Sequence, residues 1–265
     1  MFNFCNLYSG SSGNCSLVQS DNSNILIDAG ESAKKIENAL SSINVSANSI
    51  DAILVTHEHV DHVKSIGTLS KKYNIPVYAT KKTWEAMPEQ SNKIDKKLQR
   101  YFSSSTNFFV NDMEISPFSI PHDAADPCAF NISNDGKQLS VATDLGHITP
   151  ELLNNISKSA FILLESNYDP EILRYSKYPY YLKHRISGEY GHLSNIDAGK
   201  VISNLTKTNE NLKYVMLGHL SRENNFPELA YKTVIDELIN NKCDISNLSI
   251  NVATRNTPSE LIEIS

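Results

Sequence analysis

The chain has 265 residues, a formal charge of −6 and a hydrophobic fraction of 40%. That size and apolar content support one sizeable α/β core, and no run of about 18 apolar residues is present to span a bilayer. The net negative charge gives no overall attraction to nucleic acid, so a nucleic-acid surface would have to be a local basic face. Cys5, Cys15, Cys128 and Cys243 are scattered and form no CxxC pair, which points to reduced thiols in a cytoplasmic protein. The first residues lack a basic stretch followed by an apolar one, so no signal peptide is expected. With no linker, repeat or low-complexity tract, a single domain over 1–265 is expected.

Phe2 to Leu7 and Cys15 to Val18 read as short strands around a Ser/Gly turn, Ser9 to Asn14. Such a turn either lets backbone approach a phosphate or simply closes a hairpin. Ile25 to Ile27 is a third strand ending at Asp28, a position where aspartate hydrogen-bonds backbone in the turn. Ala33, Ile36, Leu40 and Ile43 recur at helical spacing. The apolar run Ala52 to Val55 then stops at Thr56-His57-Glu58-His59-Val60-Asp61-His62. A buried strand ending in such a cluster delivers it to the sheet edge, where ligands of open α/β sheets sit. Neutral imidazole suits Zn²⁺ and carboxylate adds a harder donor. Two metals about 3.5–4 Å apart fit three histidines and an aspartate on one turn. A lone histidine there would read as a solvated turn; H-x-H-x-D-H behind a strand reads as a metal loop.

Val63, Ile66, Leu69 and Tyr73 mark a helix, and Pro76 to Ala79 a strand. Lys81 to Arg100 then carries six basic residues against three acidic ones. Phe108 to Val110 and Met113 to Ile120 form a hairpin whose second strand ends at Pro121-His122-Asp123. A second hairpin, Ala129 to Ser133 and Gln138 to Ala142 around Asn134-Asp135-Gly136, leads to Asp144. His147 reads as an outer or surface residue. Phe161 to Leu164 is a buried strand ending in Glu165. Tyr168 to Tyr190 follows as an exposed arm or short helices, with Arg174, Lys177, Lys183 and Arg185 interleaved with tyrosines. Cations and aromatic faces together suit single-stranded nucleic acid, although a charge run is also what a solvated face looks like. Ser194 to Asp197 is an S-x-x-D helix start with Ala198, Val201, Ile202 and Leu205 on its inner face. Tyr214 to Leu217 is a strand ending at Gly218-His219; Ala230, Val234 and Leu238 mark a helix, and Leu248 to Val252 a last strand.

With Ser9-Gly10-Ser11-Ser12-Gly13-Asn14, Ile25-Leu26-Ile27-Asp28-Ala29-Gly30, His57 to His62, Pro121-His122-Asp123-Ala124-Ala125-Asp126-Pro127, Ala142-Thr143-Asp144-Leu145-Gly146, Leu164-Glu165-Ser166-Asn167, Gly191-His192-Leu193-Ser194-Asn195 and Gly218-His219-Leu220-Ser221, the chain resembles hydrolases of the metallo-β-lactamase fold. Within them it is most similar to the YycJ/WalJ-type group of small nucleases. The resemblance covers nearly the whole chain and implies a four-layer αββα sandwich. It also implies two divalent ions, Zn²⁺ or Mn²⁺, with His57, His59 and His122 on one, Asp61, His62 and His219 on the other, and Asp144 bridging. Asp28 would support the metal loop, and Asp61 would also orient a metal-bridging hydroxide. Glu165 and His192 fall outside that set; their order is similar to tRNA-processing endonucleases of the superfamily, in which the Glu orients a histidine that protonates the leaving oxygen. The implied activity is a phosphodiesterase on nucleic acid, a 5′-to-3′ exonuclease on DNA single strands or ends, with Arg174, Lys177, Lys183 and Arg185 as phosphate contacts. The chain departs from the larger nucleases in lacking an inserted cap domain and a long tRNA-binding arm. Hydrolysis of a small phosphodiester or an RNA end is the alternative enzyme reading; a metal-stabilised, non-enzymatic partner-binding domain is the alternative of a different class.

Overall fold

The computed structural model describes residues 1–264. Strand β1 (Phe2–Tyr8) pairs antiparallel with β2 (Cys15–Ser20), and β2 with β3 (Asn24–Ile27). Helix α1 (Ala33–Ser42) leads to β4 (Ala52–Leu54), parallel to β3. The short α2 (Val60–Val63) and α3 (Ile66–Tyr73) precede β5 (Val77–Thr80), parallel to β4. Then come α4 (Lys81–Ala86), α5 (Pro88–Ser91) and β6 (Gln99–Phe102), parallel to β5. β7 (Phe108–Val110), β8 (Met113–Ser119) and β9 (Cys128–Asn134) form an antiparallel meander. The remaining elements are β10 (Lys137–Ala142), α6 (Pro150–Ile156), β11 (Phe161–Glu165), α7 (Pro170–Tyr175), α8 (Tyr180–Ile186), α9 (Asn195–Thr208), β12 (Tyr214–Gly218), α10 (Pro227–Asn240), β13 (Ser249–Val252) and β14 (Ile262–Glu263).

One sheet runs in the order β14-β1-β2-β3-β4-β5-β6, the other β13-β12-β11-β10-β9-β8-β7. Two mixed sheets flanked by helices make the αββα metallo-β-lactamase fold that the sequence led us to expect. The chain falls into two compact units: Met1–Ser119, Ala124–Gly136 and Thr254–Ile264 in the first, Ile120–Asp123 and Lys137–Ala253 in the second.

In the first unit β3 and β4 are nearly continuous apolar runs, as strands of parallel pairs covered on both faces tend to be. Leu26 and Ile53 are fully buried with Leu7, Leu17, Ile36, Leu40, Ile66 and Trp84 in one cluster. Each such side chain contributes about 1.5–3 kcal/mol relative to exposure. In the second unit β10 to β13 are parallel neighbours, so β10, β11 and β12 all finish at the same edge. There α9 and α10 cross closely at Gly199, where a Cβ would stand 2.7 Å from Glu237 Cβ.

The stretch Val63 to Tyr73 is not one helix. Ser65, at φ −117°, separates α2 from α3, because its N–H is drawn to the Ala29 carbonyl and its hydroxyl to that of Glu31. The arm Tyr168 to Tyr190 folds as α7 and α8. Strands β6 and β14 and helices α4, α5 and α6 were not anticipated. β6 is half-exposed at its ends, exposed at Arg100 and Tyr101, and shows no alternation, whereas α6 does carry a signal, since the Thr149 hydroxyl accepts from Leu152 N–H ahead of Pro150. All four cysteines are free thiols. Among the described residues no helix is long and apolar enough to cross a membrane.

Candidate metal centre

In the first unit, β4 hands the chain to the loop Thr56–His59 and α2. Asp28 leaves β3 with φ 60°, which turns its carboxylate toward that loop. Its Oδ1 accepts from Thr56 N–H at 2.9 Å; its Oδ2 accepts from the Thr56 hydroxyl at 2.9 Å and from His62 Nδ1–H at 2.8 Å. The Thr56 hydroxyl has given its one proton to Asp28, so toward His57 Nδ1, 3.0 Å away, it can only accept. Both imidazoles are thereby held in the tautomer whose lone pair is on Nε2, the form a metal ligand needs. His57 and His62 are fully buried, with ring centroids 4.2 Å apart. His59 is half-buried at the start of α2, its ring 4.6 Å from that of His57, and Asp61 Oδ2 is 3.8 Å from His62 Nε2.

Backbone bracing fixes this loop from outside. Asn14 N–H donates to the Asp61 carbonyl at 2.8 Å, and Ala29 N–H to that of His62 at 2.8 Å. A Cβ on Gly30 would lie 1.6 Å from the Asp61 carbonyl oxygen, so only glycine allows this approach. The Ser9–Asn14 turn closes the β1–β2 hairpin and also serves the loop. Gly10 N–H donates to Asn14 Oδ1, which aims Asn14 Nδ2 at His62 Nε2, 3.0 Å away. A metal held by His62 through Nε2 has to displace that amide.

The second unit collects donors on the segment Ile120–Asp123 and at the ends of β10, β11 and β12. His122 donates from Nδ1 to the Gly191 carbonyl at 3.0 Å, leaving its lone pair on Nε2, 3.6 Å from Asp144 Oδ1. Burial lowers the pKa of His122 and keeps it in the neutral, ligating form, with Asp144 acting in the opposite sense. Asp144 and His219 leave their strands at φ 61° and 54°. Left-handed backbone is unusual for residues other than glycine, and here it turns a side chain sharply off a strand end. The Asn167 side chain donates to the His219 carbonyl at 2.7 Å and steadies that turn.

Glu165 is fully buried and accepts four hydrogen bonds. Oε1 takes His192 Nδ1–H at 2.9 Å and His219 Nδ1–H at 2.8 Å; Oε2 takes Leu145 N–H at 2.6 Å and Leu193 N–H at 3.0 Å. Burial alone would raise the carboxyl pKa, but His192 and the hydrogen bonds from His192 and His219 bring it down to about 2. Donor atoms of Asp144, Glu165, His192 and His219 all lie within 4.8 Å of one another. With all four lone-pair positions of Glu165 taken, it orients the two imidazoles rather than offering a ligand atom. With Nδ1 on Glu165, Nε2 is the second ring nitrogen of a His192 side chain that is 16% exposed.

Clusters of imidazole and carboxylate donors suited to metal ions are therefore present in both units, as a binuclear centre requires. His57, His59, Asp61 and His62 come together in the first; His122, Asp144, Glu165, His192 and His219 come together in the second. The oxygen and nitrogen donor set fits Zn²⁺ or Mn²⁺. The arm residues are dispersed. Arg185 makes a two-point ion pair with Asp123 (2.6 and 3.1 Å), Lys183 Nζ donates to the Arg174 carbonyl, and Arg174 lies over the Tyr175 ring. Lys177 is exposed, and so is His147, bonded to the Glu189 carbonyl. Asn14, Thr56, Asp123 and Asn167 are contributors that sequence reasoning missed. All four had a visible signal through their place in the quoted stretches.

Residues 23–216 match the model of a β-lactamase superfamily domain. The exodeoxyribonuclease WalJ of Streptococcus pneumoniae serotype 2 (strain D39) is 37% identical over 239 residues, 89% of this chain and 88% of that protein. The exodeoxyribonuclease YycJ of Bacillus anthracis is 37% identical over 231 residues, 87% of each chain. Among solved structures, Zn²⁺-bound PqqB from Methylobacterium extorquens superposes with a TM-score of 0.69 at 14% identity, covering 97% of this chain and 99% of that one; at that identity the likeness speaks for the fold alone. The chain belongs to the metallo-β-lactamase superfamily, as a hydrolase of that fold related to the WalJ/YycJ-type proteins.

Proposed function

We propose that the protein is a cytoplasmic, binuclear metal-dependent phosphodiesterase, a DNA exonuclease that degrades single strands or ends from 5′ to 3′, its two units working as one catalytic domain. In this reading His57, His59 and His122 would hold one ion and Asp61, His62 and His219 the other, with Asp144 serving both, and Zn²⁺ or Mn²⁺ would be the metal. Such ions supply Lewis acidity toward the phosphoryl group and lower the pKa of a water to about 7. The Asp61 carboxylate would also orient the attacking water. Glu165 holds His192 through Nδ1, so that Nε2 can carry a proton to the leaving oxygen. Arg174, Lys177, Lys183 and Arg185 contact phosphates of the strand, Arg185 by exchanging Asp123 for a phosphate. The names of the two relatives support DNA as the substrate.

The observation that carries this reading is the His192–Glu165 pair, 2.9 Å apart with the carboxylate wholly buried. Hydrolysis of a thioester or β-lactam leaves His192 without a task, whereas a phosphodiester has a poor alkoxide leaving group that needs a proton. His192→Ala tests it. The variant should keep both metals while nucleic-acid cleavage falls roughly 10²–10⁴-fold, the usual worth of a positioned general acid. A nitrophenyl phosphodiester, whose leaving group needs little protonation, should lose much less. Loss of a metal, or equal slowing of both substrates, would make His192 a ligand or a binding residue instead.

A further inference from the structure

The hairpin α7–α8 packs around a small core of its own, Tyr168, Leu173 and Ile186 with Tyr178 and Leu182 against them. Tyr175 and Tyr180 stay 76% exposed and Tyr181 73%. Rings that remain in water gain nothing from folding; Tyr175 carries the Arg174 guanidinium over its face, while the exposed surface of Tyr180 and Tyr181 is open to a partner. Two cavities flank Tyr178. The first, about 600 Å³, is lined by Tyr175, Lys177 and Tyr178 but also by Glu171 and Glu223, whose carboxylates oppose a phosphate. The second, about 490 Å³, is lined by Tyr168, Leu173, Tyr178 and Tyr180 together with Arg174 and Lys183, and no carboxylate is among its described lining residues.

We propose that this second cavity is a nucleotide subsite for single-stranded nucleic acid, an unpaired base lying against Tyr178 and Tyr180 and its phosphate against Arg174 and Lys183. The proposal rests on the nucleic-acid reading above and sorts the four arm cations. Arg174 and Lys183 line a cavity without carboxylates, although Arg174 Nη1 also lies 3.8 Å from Glu171 Oε1 across an exposed pair; Lys177 lines a cavity with two, and Arg185 is tied to Asp123. Tyr180 is positioned for the role by His184, whose ring meets it edge-on at 4.3 Å. In a duplex the base faces are covered by their neighbours, so a concave tyrosine-lined site selects an unstacked base. The subsite also adjoins the proposed acid: Ser187 lines the cavity, and the neighbouring Ile186 carbonyl accepts His192 N–H at 2.8 Å.

Fluorescence anisotropy with metal-loaded, full-length protein and a phosphorothioate-linked, dye-labelled oligo(dT) tests the subsite apart from catalysis. Tyr180→Ala should weaken single-strand binding roughly 5- to 100-fold, the range for losing one base–aromatic stack. Duplex affinity should stay as in the wild type, and Tyr180→Phe, which keeps the ring, should bind normally. Unchanged single-strand affinity, or an equal loss on duplex, would overturn the proposal. Normal exonuclease activity with a Tyr180→Ala variant that binds like the wild type would sink the subsite alone. Tyr180-dependent binding without any cleavage would instead keep the subsite and sink the nuclease reading.

Discussion

Glu165→Gln keeps the shape of a side chain whose four acceptor positions are all in use. If the amide oxygen takes the place of Oε1, it can still accept from His192 and His219. The NH₂ then faces Leu145 N–H and Leu193 N–H, two buried donors with nothing to accept them. Each orphaned donor costs about 1–3 kcal/mol, so the pair costs roughly 2–6 kcal/mol. If the amide flips, the NH₂ faces both imidazoles and forces the proton of each to Nε2, which removes the lone pair that His219 would offer a metal. Either orientation is damaging, so the effect cannot be confined to the acid. Calorimetry on the metal-free variant should show a melting temperature lowered by roughly 4 °C or more, at about 2–4 °C per kcal/mol for a chain of this size. Titration with Zn²⁺ or Mn²⁺ should show roughly 10- to 100-fold weaker binding at one site, as loss of a ligand-orienting partner does elsewhere. A variant that melts with the wild type and binds both ions equally well would refute this reasoning.

Three further outcomes are expected. His59→Ala should lower metal content from two ions to one per chain and abolish phosphodiester hydrolysis; a fully active wild type holding a single ion would speak against it. Thr56→Val removes the acceptor of His57 Nδ1–H and one donor to Asp28, so the metal-free protein should lose about 1–3 kcal/mol by denaturant titration; wild-type stability would show that His57 needs no such partner. The Glu31 carboxyl is pushed up by burial but held below its ordinary value on balance by Ser32 N–H, Lys35 and Lys64. A folded pKa below the unfolded one contributes stability above the unfolded value of 4.5 that is lost as pH falls below it. Glu31→Gln should therefore flatten the acid side of the stability profile, and an unchanged slope would contradict it.

The strand-end logic was legible in the sequence. Ala52 to Val55, Phe161 to Leu164 and Tyr214 to Leu217 are apolar runs that stop at His57, Glu165 and His219, and those runs became β4, β11 and β12. The bracing was not legible, because it is set by sheet order rather than by neighbours in sequence. Glu165 draws its donors from residues 20 to 54 positions away, and Arg185 finds Asp123 across 62. Nor does a period reveal that Asp28, Asp144 and His219 all leave their strands in left-handed backbone. The Asn14 amide shows a third limit: its motif was visible, but that it would point at His62 depends on how the β1–β2 turn is held by the Asp61 carbonyl.

The most direct measurement is to incubate Zn²⁺- or Mn²⁺-loaded protein with single- and double-stranded DNA and RNA, each labelled at the 5′ or the 3′ end, and to resolve the products over time. Mononucleotides released first from the 5′ end of DNA, stopped by chelation and restored by the metal, are the expected result. Internal cuts, a preference for RNA, or no cleavage while a small phosphodiester is hydrolysed would contradict it.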